Sequence, residues 1–229
     1  MRKIEAHAEP AAMLTLRRQG ATFGELTSES SIRRTLWEQQ GRRCAYCERS
    51  LADPATPGHN TRIEHFHPQN GSDWTADCER GSHASADDQA PVAWGNLLLC
   101  CDGNERAGRD FTCDKAKGNL DVCGRFRNPR DWTVGRLVNV APDGRVAPLS
   151  GLPDGADGVL GRVLNLNADH LVVARKVVLA ALKREISARA ARRHGLSPQQ
   201  RSAMADNLRR DAGIREFGAC YLAVAARLA

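Results

Sequence analysis

At 229 residues, with 41% apolar and 26% charged residues, the chain has the make-up of a soluble globular protein, which excludes a disordered or fibrous one. Its formal charge of +6 suits a polyanionic partner such as nucleic acid, although heavy Arg usage by itself produces such an excess. Charges at Arg2, Lys3, Glu5, Arg17 and Arg18 break up the opening segment, so neither a signal peptide nor a membrane span is expected, and a cytoplasmic location follows.

In chain order, Ile32, Leu36 and Trp37 fall at helical spacing between a cap at Ser30 or Ser31 and a stop at Gly41. This predicts a short helix that delivers the chain to Cys44. The Pro- and Gly-rich stretch after Cys47 reads as a loop, and Thr61 to Phe66 as a short strand entering His65. From Gly71 to Pro91 the sequence is polar and suggests a mobile surface insertion. Val92 to Cys101 is an apolar segment packed on the core, and a helix opens at Thr112 or Asp114. Alternating Val and Leu around Pro142-Asp143-Gly144 predict a β-hairpin. From Asp169 onward Leu171, Val172, Arg175, Val178, Leu179, Leu182 and Ile186 recur at helical spacing, and Pro198 and Gly213 punctuate two further helices.

Eight cysteines in a reducing compartment point to metal ligation or buried thiols rather than disulfides. Cys44-Ala45-Tyr46-Cys47 is a CxxC pair, and Cys101 with Cys113 supplies a second pair, together four thiolates for tetrahedral Zn²⁺. A thioredoxin-like redox role would place the CxxC at a strand-to-helix start in a βαβ unit, which the pattern lacks. Cys100 is the alternative to Cys101, but one of two adjacent cysteines in an apolar run should face the core, and Cys100 is assigned that role. Cys78, Cys123 and Cys220 read as thiols outside the cluster. A small loop-built site has little core of its own, so this zinc is expected to be structural.

Between the cysteine pairs lies Ile63-Glu64-His65-Phe66-His67-Pro68, then Trp94-Gly95-Asn96, and Asp114 follows the last cysteine. This order resembles the HNH nuclease family. The resemblance implies that Glu64 and Asp114 bind one divalent cation, that His65 activates water, and that Asn96 holds the loop and imidazole in register. Glu at position 64 and Asp at position 114 depart from the commonest form of the motif, yet both keep an oxygen ligand. Two carboxylates make a hard site suited to Mg²⁺ or Mn²⁺, and an imidazole is an ordinary general base near neutrality. His67, Lys115 and Lys117 are candidate phosphate contacts, the two lysines at a helix start where charge and backbone N–H groups could act together. Taken singly, each residue has a plainer reading: Glu64 a surface strand residue, His65 a packed histidine, Asn96 a turn residue, Asp114 a helix cap, His67 a solvated loop residue.

The blocks Met1 to Met13, Leu36 to Glu48, Ile63 to Gln69, Asn96 to Asn104, Thr112 to Asn119 and Val163 to Lys176 also resemble the PtuB-like HNH proteins of the Septu bacterial phage-defence system. That resemblance implies an endonuclease effector working with a PtuA-like ATPase, with DNA favoured over RNA as substrate. The fold expected is α+β: a ββα-metal (His-Me finger) core with N-terminal helices and zinc knuckles over 1–125, a β-hairpin extension over 126–168, and a helical region over 169–229 suited to partner docking. The competing readings are a zinc-containing nucleic-acid binder without catalysis and a scaffold subunit. Against the first, an acid–histidine pair beside a second carboxylate would repel phosphate unless a cation intervened.

Overall fold

The computed structural model of the protein describes residues 1–5, 7–68, 92–133 and 135–228. The polar stretch from Gly71 to Pro91, with Cys78, lies wholly outside the described residues. Three short helices come first: α1 (Ala11–Arg18), α2 (Phe23–Ser28) and α3 (Ser30–Gln39). A capping box between Thr22 and Glu25 opens α2. The cap of α3 is Glu29, whose carboxylate accepts from the Ser31 N–H at 3.1 Å, and not Ser30 or Ser31. A carboxylate at that end also suits the helix dipole.

Strand β1 (Thr61–His65) pairs antiparallel with β2 (Leu97–Cys101), Glu64 opposite Leu98 and His65 opposite Leu97. A short helical turn, Trp94–Asn96, leads into β2, and helix α4 (Cys113–Lys117) follows it. All five residues of β2 are buried, and its outer edge is closed by a side chain rather than a strand. The Gln40 amide donates to Leu99 O at 2.7 Å and accepts from Leu99 N at 2.7 Å, so the edge keeps its hydrogen bonds without water.

The expected hairpin is present as β3 (Val138–Val140) and β4 (Val146–Pro148). Gly144 in its turn has φ +82°, and a Cβ there would collide with the Val172 carbonyl, so the turn needs glycine both for its backbone and for its close approach to the next helix. A single turn, α5 (Ala156–Gly158), widens into Val159–Val163. It is too short to leave a periodic signal. Three helices complete the chain: α6 (Asp169–Ala191), α7 (Pro198–Ile214) and α8 (Gly218–Leu228). Pro198 stands in the first turn of α7 behind a Ser197–Gln200 capping box.

Eight helices and two two-stranded sheets among the described residues make this a mixed α+β protein. One apolar core runs through the expected N-terminal, hairpin and C-terminal stretches, joining Leu36, Leu98, Val138, Leu171 and Phe217, with a smaller cluster of Leu182, Met204, Ala205, Leu208 and Ala225 beside it. Arg43, only 2% exposed, donates to Ala212 O at 3.3 Å and to the carbonyls of Gly213 and Arg215, covering the C-terminal end of α7. Glu48 accepts from Ala219 N at 2.9 Å at the start of α8. The C-terminal helices are therefore joined directly to the segment carrying Cys44 and Cys47. No helix of the described residues is long and apolar enough to cross a membrane.

Candidate metal centres and active site

The CxxC turn is shaped by its backbone. Glu48 N donates to Cys44 O at 3.1 Å and Glu48 takes φ +66°, which turns the chain so that Cys44 and Cys47 face the same point. The second pair comes from the end of β2 and the first residue of α4. Gly103, at φ +63°, lets the intervening loop press onto α4, because a Cβ there would collide with the Thr112 carbonyl and the Lys115 side chain.

Cys44, Cys47, Cys101 and Cys113 are all buried and bring their sulfurs within 4.8 Å of one another. Cys44 Sγ lies 3.7 Å from Cys113 Sγ, and Cys47 Sγ lies 3.8 Å from Cys101 Sγ. Zn–S bonds of about 2.3 Å in a tetrahedron put the sulfurs about 3.8 Å apart, so the group could hold a metal ion such as zinc. Without an ion four buried thiols cannot all ionise. Burial opposes ionisation of Cys44, but hydrogen bonds from its neighbours win and hold it well below the usual thiol range. The Cys101 contact pushes Cys47 well up, and burial does the same for Cys113. A divalent cation would displace the remaining thiol protons and bind the group as thiolates. Cys100, adjacent to Cys101, is fully buried and is not one of the four sulfurs that converge, although its thiol also reaches Cys44.

Successive residues of β1 point to opposite faces, and here both faces are covered. Glu64, 3% exposed, accepts from Tyr46 Oη at 3.0 Å and pairs with Lys117 Nζ at 2.8 Å. His65, 7% exposed, sets its ring edge-on to Phe23 of α2 with centroids 4.3 Å apart. Glu64 is thus no surface strand residue. Burial, reinforced by Asp114 and opposed by the Lys117 ammonium, pushes its carboxyl well above the ordinary carboxylate range. Asp114 lies near enough to act on Glu64, and two neighbouring carboxylates form the kind of oxygen donor set that a hard divalent cation fits.

Asn96 ties the loop after β1 to the turn before β2. Its Oδ1 accepts from His67 N at 2.7 Å and its Nδ2 donates to His67 O at 2.9 Å, while Asn96 O accepts from Phe66 N at 3.0 Å. Asn128 Nδ2 in turn donates to Gly95 O at 2.9 Å and Arg130 Nε to Leu97 O at 3.2 Å, which steadies the turn that carries Asn96.

The candidate phosphate contacts separate. Lys115 is partly exposed and pairs with Glu105 at 3.0 Å. Lys117 is 2% exposed and also donates to His65 O at 2.9 Å, so its ammonium joins the two residues at the end of β1. His67 is buried at 6% exposure, 3.6 Å from Asp121. Cys123, expected to stand outside any cluster, lies with these two. Sequence reasoning passed over Tyr46, Asp121, Gln40 and Arg43. Tyr46 sits between the two cysteines of the CxxC turn, a position that could have drawn notice; the others carry no local pattern. No known family model matches the chain, and no curated protein does.

Proposed function

We propose that the chain is a metal-dependent endonuclease of the HNH type, cutting phosphodiester bonds of nucleic acid, DNA by preference, as the effector beside a PtuA-like ATPase. The observation that carries this reading is that Glu64 and His65 end one strand, Asp114 of α4 acts on Glu64, and Asn96 clamps the loop that follows, beside a four-thiol cluster. The strand–strand–helix order of β1, β2 and α4 supports a ββα-metal core. In this reading the four thiols hold a structural zinc ion, and Glu64 with Asp114 holds Mg²⁺ or Mn²⁺.

A divalent ion at the carboxylates, when bound, supplies positive charge to the scissile phosphate and the leaving oxygen. The residues of the chain do the rest. Lys117 and Tyr46 both engage Glu64 Oε1, which orients the carboxylate so that its second oxygen remains available. Asn96 fixes the backbone immediately after His65, and Lys117 fixes the His65 carbonyl, so the imidazole is held from both sides. His65 takes a proton from the attacking water as a general base. Phe23 against the ring limits its rotation. The buried polar scaffold keeps these groups in place before substrate arrives, the condition for efficient electrostatic catalysis.

The test is cleavage of plasmid DNA and of RNA by the purified chain, with and without a co-expressed ATPase partner, in Mg²⁺, Mn²⁺ or EDTA, beside His65→Ala. Cleavage that needs the ion and falls at least about 100-fold in His65→Ala is expected, in line with the loss of a general base. Binding without cleavage in every mixture would transfer the proposal to a zinc-containing nucleic-acid-binding or scaffold subunit.

A further inference from the structure

One more group of metal-ligating side chains occurs among the described residues. His67, Asp121 and Cys123 each bring one ligand atom within 4.8 Å of the others. They are 6%, 7% and 3% exposed. His67 follows β1, and Asp121 and Cys123 follow α4, so the two segments that meet here are those that carry Glu64, His65 and Lys117.

The geometry is that of converging ligands rather than of a hydrogen-bonded pair. His67 Nδ1 and Asp121 Oδ2 are 3.6 Å apart, too far for a hydrogen bond. Ligands at about 2.0–2.3 Å from a tetrahedral ion stand about 3.3–3.8 Å from one another, and the observed spacing falls within that range. Asp121 Oδ1 accepts from Cys123 N at 3.0 Å, which fixes the carboxylate from within its own loop. Its other oxygen is buried and accepts no hydrogen bond. A carboxylate oxygen sealed from water calls for a cation, and the His67 ring, which faces it at ion-pair distance, is one only when protonated. The His67 backbone is pinned by donating to Asn96 Oδ1 and accepting from Asn96 Nδ2, and Phe66 packs edge-on against its ring at 5.2 Å. All three side chains are thus aimed before any ion arrives.

We propose that His67, Asp121 and Cys123 form a second metal site, separate from the four-thiol cluster, that takes a divalent transition-metal ion of the zinc class. Imidazole, carboxylate and thiolate together suit a borderline ion, whereas Mg²⁺ and Ca²⁺ prefer oxygen alone. Cys123 binds as thiolate and its proton leaves to solvent. A cavity of about 260 Å³, lined by His67 and Cys123 together with Phe126, Arg127, Asn128 and Asp131, reaches two of the three ligands and gives the ion a route in. The bound ion ties the loop after β1 to the segment after α4, a cross-link beside His65 that packing alone does not make. This inference does not depend on the nuclease reading, because metal content reports it directly.

The test uses the full chain saturated with Zn²⁺ and desalted, and in parallel loaded with Co²⁺. With Mg²⁺ in excess to occupy the Glu64–Asp114 carboxylates, two transition-metal ions per chain are expected for wild type by elemental analysis, and one for Cys123→Ser and for Asp121→Asn. In the Co²⁺ spectra both variants keep the strong four-thiolate bands, which also report an intact fold, and Cys123→Ser loses the weaker single-thiolate band. Should a variant fail to fold, graded chelation of wild type decides: two separate release steps are expected. One ion per chain with only the four-thiolate spectrum, or variants that retain two ions, would overturn the proposal.

Discussion

Around β1, β2 and α4 the protein buries charge; in the outer part of its C-terminal helices it buries only hydrocarbon. In the first region Glu64, Lys117, Asn96 and Gln40 are all at most 3% exposed, and each has a specific partner. In the second, Leu182, Met204, Ala205, Leu208 and Ala225 form an apolar cluster, while the ion pairs Arg189–Glu185 and Arg209–Asp206 stay on the surface. Directional contacts specify the first region, so losing one partner strands another. The second is held by burial, which is non-directional and more forgiving.

The largest effect should come from the thiol cluster. If the four thiols hold the proposed zinc, Cys113→Ser is expected to abolish metal binding and unfold the β1–β2–α4 region, since structural zinc contributes apparent binding energy of about 10–16 kcal/mol in small zinc-folded peptides. Chelation of the wild type should act in the same way, and so should acid, because protons compete for the thiolates. Far-UV circular dichroism with metal analysis checks this; a folded, metal-free Cys113→Ser protein would break the contrast between the regions.

Next is Lys117→Met, which leaves Glu64 buried without its cation. Removing one partner of a buried pair costs about 3–5 kcal/mol, to be read from the denaturation midpoint. A shift under about 1 kcal/mol would mean that the Glu64 proton already replaces the ammonium at little cost.

Leu208→Ala tests the apolar region. Leu208 is 6% exposed, and truncating a buried leucine costs about 2–5 kcal/mol. The lower end is expected here because this satellite cluster is small and can collapse. Hydrogen exchange should quicken in α7 and α8 and leave β2 protected; equal loosening of β2 would show that the regions unfold as one. The smallest effect is expected for Arg209→Ala, whose pair with Asp206 is half exposed: a change within about 0.5 kcal/mol by thermal denaturation, as for surface pairs at helical spacing.

Much of this was legible beforehand because it is local. A CxxC turn, a period-two hairpin around Pro142-Asp143-Gly144 and the helical spacing from Leu171 to Leu182 each show within a few residues, and the structure contains all three. Arg175 shared that spacing and read as part of the helix stripe. It is in fact buried, donating to Leu166 O at 2.8 Å and Gly144 O at 3.2 Å, where it joins α6 to the hairpin.

By itself the sequence determined the order of ligands and elements, since strand alternation and helix period are written in neighbouring residues. Only the tertiary structure decided which groups meet across long stretches of chain. It placed Lys117 on Glu64 rather than at the surface, closed the edge of β2 with Gln40, and brought Asp121 and Cys123 to His67. The physical reason is that a buried polar side chain needs a partner, and the partner's position depends on how the elements pack, not on its distance along the chain.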